Sequence, residues 1–218
     1  MHGQAGLQPA QTVQARIEAG CRTLQLAVDI NAVAGLAQYV ALLEKWNQVY
    51  NLTAVRDPQQ MVLRHILDSL AVLPYLTSGC LLDVGSGAGL PGIPLAIARP
   101  TLAVTLLDSN AKKIRFVRQV AAELGLSNVE AVQARMQEYQ PGRAFDMVIS
   151  RAVASLDELY RQSQHLLAPG GRMLFMKGAL PEAEITTFAA GRETLHCERL
   201  QVPGLDAERH LLWLDKQG

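Results

Sequence analysis

"LLDVGSGAGLPG", Leu81 to Gly92, sets four glycines behind a short apolar run that carries an aspartate. Which ligand such a turn serves depends on where its first glycine falls. A dinucleotide fingerprint wants that glycine straight after the strand, which here gives Gly85, Gly87 and then a small residue at position 90, where Leu90 stands. Counted from Gly87 through Gly89 to Gly92 the spacing also matches, but that register starts late and contains Pro91. What fits better is an acid inside the strand end, Asp83, followed by Gly85, Gly87 and Gly89 at alternate positions. Glycine there lets the backbone approach a bound molecule, because a Cβ would occupy its space; a tight turn without a ligand is the plainer alternative.

The rest of the chain locates this turn. Its 218 residues, 49% hydrophobic and 18% charged, suit one soluble domain with a full core plus an appendage. Twenty basic residues balance twenty acidic ones, so an anionic partner must be met by a local patch. Cys21, Cys80 and Cys197 lie far apart with no C-x-x-C, which encodes neither a disulfide framework nor a zinc site and fits a reduced cytoplasm. Neither a secretion signal nor a membrane-spanning run is present in the sequence pattern, so no membrane role is expected.

Residues 1–10 are Gly- and Gln-rich without periodicity and are expected to be loose; 11–76 read as a helical extension and 77–218 as the ligand-binding domain. Val33, Leu36, Ala37, Val40 and Leu43 follow helical spacing within a helix expected over 28–50. "RDPQQ" starts another, with Asp57 as N-cap, Pro58 at its first position and Gln60 where a capping box wants it. Leu63, Ile66, Leu67, Leu70 and Leu73 form its buried face. From Cys80 onward "LLDV", "AVTLLD", "VEAVQA", "FDMVIS" and "RMLFMKG" alternate with helical patterns, which predicts a parallel sheet covered on both faces. Two further strands near "TLHCERLQV" and "RHLLWLDK", with no convincing helix between them, predict a closing hairpin. The fold class expected is α/β, doubly wound and Rossmann-like, with a mostly parallel seven-stranded sheet.

On this map the glycines join the first strand to its helix, where an open parallel sheet binds ligands. An acid in the strand end with this glycine spacing is the pattern of class I S-adenosylmethionine (SAM) methyltransferases, whose ligand carries no pyrophosphate. Asp108 ends the second strand, where a carboxylate can accept both ribose hydroxyls of an adenosine; it also stands in "DSN", any residue of which could cap the next helix. "APGGRMLFMKG" adds the Pro-Gly-Gly turn that methyltransferases habitually place before a fifth strand.

"WNQVYNLTAVRDPQQMVLRHILDSL", "LLDVGSGAGLPGIPLAI", "LLDSNAKKIRFV", "VISRAVASL" and "MKG" together resemble the bacterial glucose-inhibited division protein B family, the guanine-N7 methyltransferases of small-subunit (16S) ribosomal RNA. The resemblance runs from about Leu36 to the C-terminus. It rests on "WNxxxNLT", "RHxLDSL" and "SRAVASL" in this order; the glycines mark only the superfamily. It implies SAM as cofactor, with contacts from Gly85 and Leu90, from Met136 and Gln137, and from Arg151. Family members usually carry an acid where Gln137 stands, so its contact to the adenine amino group would come from an amide oxygen or the backbone. The partner implied is 16S ribosomal RNA, in the small subunit or an assembly intermediate, and the protein is expected to be a cytoplasmic monomer.

The chemistry points the same way. Methyl transfer from a sulfonium is a direct displacement that asks for alignment and exclusion of water. After the fourth strand the chain has "SRAVAS", not the Asn/Asp-Pro-Pro-aromatic signature of amino-group methyltransferases; it has no Pro-Cys for pyrimidine C5 and no Asp with lysines for a ribose hydroxyl. A ring nitrogen is favoured. Guanine N7 has no proton to lose, so no catalytic base is required, and Arg151 at the strand end serves positioning.

Lys112 and Lys113 are the preferred phosphate contacts over Arg118, although a solvated helix face explains that cluster equally; Lys177 ends the fifth strand on the same edge. Asn47, Tyr50 and Asn51 crowd a helix end where a flipped guanine could be stacked and read, or where a polar C-cap is needed. His65, Asp68 and Ser69 share a helix face, an arrangement that does not make a hydrolase triad and suits polar anchoring of the N-terminal helices. No metal site is expected. The alternatives are a methyltransferase of a small molecule or protein, and a non-catalytic ribosome-assembly factor that kept the SAM pocket.

Overall fold

The structure, a computed structural model, describes residues 12–151, 155–189 and 195–216. The N-terminus expected to be loose, 1–10, and Ala152–Ala154 of "SRAVAS" lie outside the described residues. Helix α1 (Val13–Thr23) begins where the Thr12 hydroxyl accepts the Ala15 N–H. Helix α2 (Ile30–Tyr50) begins at Asp29, whose carboxylate accepts the Ala32 N–H at 2.8 Å, and stops at Asn51, held left-handed at φ 49°.

Asp57 caps α3 (Pro58–Met61) by accepting the N–H groups of Gln59 and Gln60. The capping box does not close, because the Gln60 side-chain oxygen Oε1 turns forward to accept from Arg64 Nε at 3.3 Å. The helix expected to run on from there changes type: Val62–Leu67 is π-helical, α4 (Asp68–Leu70) follows, and a 3₁₀ turn covers Leu73–Tyr75. Leu63, Ile66, Leu67, Leu70 and Leu73 are all buried as expected.

The remaining elements alternate as β1 (Cys80–Val84), α5 (Gly92–Ala98), β2 (Ala103–Asp108), α6 (Ala111–Glu123), β3 (Val129–Gln133), β4 (Phe145–Arg151), α7 (Leu156–Ser163) and β5 (Leu167–Lys177). Then come α8 (Glu182–Ala189), β6 (His196–Arg199) and β7 (His210–Asp215). The sheet order is β3-β2-β1-β4-β5-β7-β6; β1 to β5 pair in parallel, and β7 lies antiparallel to both neighbours. The sheet is therefore mixed, with the expected terminal hairpin at one edge. Helix α8 has no counterpart in the sequence reading, since only Phe188 of its eight residues is buried and it leaves no apolar stripe.

Period two along the strands supplies two cores. Leu81, Met147, Ile149, Leu174 and Leu211 face α5, α6 and the N-terminal helices, while Leu82, Val84, Val148, Phe175 and Leu212 face α7 and α8. Leu36, Leu43, Ile66 and Leu70 belong to the first core, so the N-terminal helices share that core with α5, α6 and one face of the sheet. Tyr39 of α2, fully buried, donates its hydroxyl to the Ala88 carbonyl at 2.7 Å and ties that helix to the glycine turn.

Candidate active site

Pairing of Val84 with Leu107 brings the end of β1 beside the end of β2. The N–H groups of Gly85 and Ser86 both donate to the Leu107 carbonyl, at 2.8 and 3.1 Å. That fold-back puts Gly85, Gly87 and Gly89 in left-handed conformations, φ 67°, 59° and 90°. The glycines have different reasons. A Cβ on Gly89 would lie 2.5 Å from Ile93 Cγ1, so packing of the turn on α5 requires it, whereas a Cβ on Gly87 would meet nothing nearer than 3.9 Å. Leu90 turns into the core, 5% exposed, and Gly85 is the member of the expected Gly85–Leu90 pair that lines a cavity at the strand ends.

Beneath the turn, the fully buried Asp83 accepts the Gly92 N–H at 2.8 Å through Oδ2, and its Oδ1 has no partner. Burial pushes its carboxyl up to about 7. Asp108 Oδ2 accepts the Gly87 N–H at 2.9 Å and Oδ1 accepts the Asn110 N–H at 2.8 Å. The cap of α6 is Asn110, which accepts from Lys112 and Lys113, so Asp108 is released from the capping role and each of its oxygens keeps a lone pair.

Gly85, Asp108, Lys113, Arg135, Met136 and Gln137 line a cavity of about 320 Å³ at the ends of β1, β2 and β3, in the size range of small-molecule sites. Lys113 Nζ stands 3.9 Å from Asp108 Oδ2, on the cavity side of α6, while Lys112 is exposed. Arg118 is turned to the Ala131 carbonyl. The cavity suits an adenosine: a carboxylate with free lone pairs, a turn whose glycine offers no Cβ, and an apolar wall at Met136. Arg135 was not singled out in the sequence; its only local signal is its place before Met136.

A second cavity, about 330 Å³, opens at the ends of β4, β5 and β7, lined by Asp68, Arg151, Lys177, Arg209 and His210 among others. Arg151 Nη1 donates to the Arg64 carbonyl at 3.1 Å and to Asp68 Oδ2 at 3.2 Å; Arg209 Nε donates to Asp68 Oδ1 at 2.7 Å. Lys177 pairs with Glu184 at 3.3 Å. Asp68 thus ties the helical extension to the end of β4 and to the residue before β7. Ser69 donates to the His65 carbonyl, and His65 Nε2 lies 2.8 Å from the Thr53 hydroxyl. Burial, helped by the Arg151 charge, holds His65 down at about 4.

Asn47 is buried and closes the turn after α2, donating to the Val55 carbonyl at 3.1 Å and accepting the Thr53 N–H at 2.9 Å. Its amide is committed to the backbone. Tyr50, 38% exposed, stacks on Trp46 at 5.2 Å, and Trp46 packs on Phe116 of α6 at 5.6 Å. Asn51 accepts from Arg56 at 3.3 Å.

Comparison with known proteins decides among the alternatives. Residues 32–212, from the start of α2 into β7, match the family model described as rRNA small subunit methyltransferase G. The chain belongs to this family. A ribosomal RNA small subunit methyltransferase G of Alkalilimnicola ehrlichii is 52% identical over 196 residues, 90% of this chain and 89% of that protein. Its namesake in Serratia proteamaculans is 54% identical over 180 residues, 82% of this chain and 87% of that one. Among solved structures, the SAM-dependent methyltransferase SibL superposes with a TM-score of 0.60 at 17% identity, covering 94% of this chain and 77% of that chain. The N-methyltransferase NodS of Bradyrhizobium japonicum, crystallised with S-adenosyl-L-homocysteine, gives 0.55 at 16% identity, covering 80% and 100%. Both share the class I methyltransferase fold.

Proposed function

We propose that this chain transfers the methyl group of SAM to N7 of a guanine in small-subunit (16S) ribosomal RNA. Membership of the family across 32–212, both cavities included, is the observation that carries the proposal. SAM supplies an electrophilic methyl group on a sulfonium. Asp108 accepts the ribose hydroxyls through the lone pairs that Gly87 and Asn110 leave open. Met136 packs against the adenine, Gln137 reaches its amino group through an amide oxygen, and Gly85 lets the ligand lie close to the turn. Arg151, at the end of β4, positions the acceptor.

No side chain has to remove a proton. N7 offers an in-plane lone pair, His65 is neutral at physiological pH, and Asp83 is sealed beneath the turn. Exposed Lys112 supplies a phosphate contact and Tyr50 a stacking face for a base. The protein acts as a cytoplasmic monomer on the subunit or its precursor. Incubating it with tritium-labelled SAM and small subunits from cells lacking the gene should place label in 16S RNA as 7-methylguanosine. Label in protein or small molecules, with none in RNA, would reject the proposal.

A further inference from the structure

Arg151 stands between the two cavities. It lines the second, but Val84 pairs with Ser150, so the glycine turn leaves β1 alongside the end of β4 at the spacing of neighbouring strands, about 5 Å. Asp83, beneath that turn, feels its charge: burial raises the Asp83 carboxyl, and the Gly92 N–H and the Arg151 guanidinium oppose the rise.

The guanidinium is held from the helical extension. Arg151 Nη1 donates to Asp68 Oδ2 at 3.2 Å and to the Arg64 carbonyl at 3.1 Å, which uses both of its protons and leaves Nε and Nη2 without an acceptor among the described residues. The π-helical turn opens the Arg64 carbonyl to it. In an α-helix the Asp68 N–H would bond that carbonyl; here it goes to Leu63 and His65. Asp68, its side chain 3% exposed, is fixed at its other oxygen by Arg209 Nε at 2.7 Å, so Oδ2 is presented to Arg151 in one place. Stability alone does not ask for this arrangement, because a buried ion pair gains little net of its desolvation and the helix gives up an α-type bond to make room for it.

SAM carries two cations, the sulfonium and the ammonium, and one anion, the carboxylate. A guanidinium is attracted only to the last. We propose that Asp68 is a positioning residue for the cofactor: through Arg151 Nη1 it orients the free Nε and Nη2 edge of that guanidinium toward the methionine carboxylate of SAM. The inference rests on the SAM methyltransferase reading above. A planar fork suits a carboxylate, and by fixing the methionine end of the donor Arg151 sets where the methyl group meets the acceptor.

The test uses the full chain and reads calorimetric affinity for SAM and for decarboxylated SAM, which lacks only the carboxylate, with thermal unfolding as the check that each variant is folded. The wild type should bind SAM about 10- to 100-fold more tightly than decarboxylated SAM, the range for a charge-assisted hydrogen bond. Arg151→Gln should bind the two alike within about twofold, and adding Asp68→Asn to it should leave that ratio unchanged. Asp68→Asn alone keeps Arg151, yet should lose most of the preference through weaker SAM binding, with decarboxylated SAM held within about twofold. The sign decides the matter. If Asp68 only neutralised Arg151, its removal would leave more positive charge for the carboxylate and the preference would grow.

Asp68→Glu keeps the buried charge but reaches one methylene further, so it should also lower the preference and serves where Asp68→Asn does not fold. An unchanged or larger preference in the Asp68 variants, equal losses for both ligands, or a preference that survives in Arg151→Gln would overturn the positioning role. A wild type that binds neither ligand would reject the SAM reading itself, whereas one that binds both alike would leave that reading standing and remove the role of Asp68.

Discussion

Asp108 holds one backbone N–H on each carboxylate oxygen, Gly87 on one and Asn110 on the other, and so fixes the glycine turn relative to α6. Asp108→Ala should weaken SAM by about 1.5–3 kcal/mol in calorimetry, the range for hydrogen bonds to a charged group. Asn110→Ala removes the true cap and should cost about 1 kcal/mol of stability with SAM affinity little changed. Asp83 makes a different prediction. Its carboxyl titrates at about 7 when folded, against 3.8 as an ordinary aspartate. The folded state therefore favours the protonated form: this contribution is fully present below about pH 4 and is lost as pH rises toward 7. Denaturant titrations should show Asp83→Asn gaining on the wild type by about 1 kcal/mol for each pH unit across that window. A difference independent of pH would mean that Asp83 is ionised throughout.

The turn between β1 and α5 shows why the spacing of glycines matters more than their number. Gly87→Ala brings a Cβ no nearer than 3.9 Å to any neighbour and should cost only the left-handed conformation, about 1–2 kcal/mol. Gly89→Ala adds a collision with Ile93 to the same conformational cost and should lose about 3 kcal/mol in thermal or denaturant unfolding. Equal losses would contradict this division of labour. The helical run from Pro58 to Leu70 is the element whose hydrogen-bond type shapes the second cavity. Its π-helical turn frees the Arg64 carbonyl for Arg151 and sets Asp68 between two arginines, while its apolar residues remain buried as a regular helix would bury them.

Across the whole molecule, two cavities flank the place where β1 and β4 pair and the strand order turns outward in both directions, as doubly wound sheets place their ligands. With His65 held near 4 and Asp83 sealed from solvent, single-turnover methylation at saturating substrates should be nearly flat from about pH 6 to 8.5 in the wild type and in His65→Ala. A tenfold rise per unit that disappears in His65→Ala would restore a general base. Much of this architecture was legible in the chain, because strand alternation, the Asp57 cap with Pro58, and the glycine spacing depend on neighbours a few residues apart. Helix α8 was not legible, since its burial rests on Phe188 alone. Nor was the choice of Asn110 over Asp108 as cap: both residues suit the role, and Asp108 is drawn away by Gly87 from the turn before. By itself the sequence determined the doubly wound class, the glycine turn and the residues at the strand ends. Only the tertiary structure decided that Arg209, 141 residues from Asp68, completes the second cavity, because a buried carboxylate takes whatever cations the packed chain brings to it, and no local pattern records that meeting.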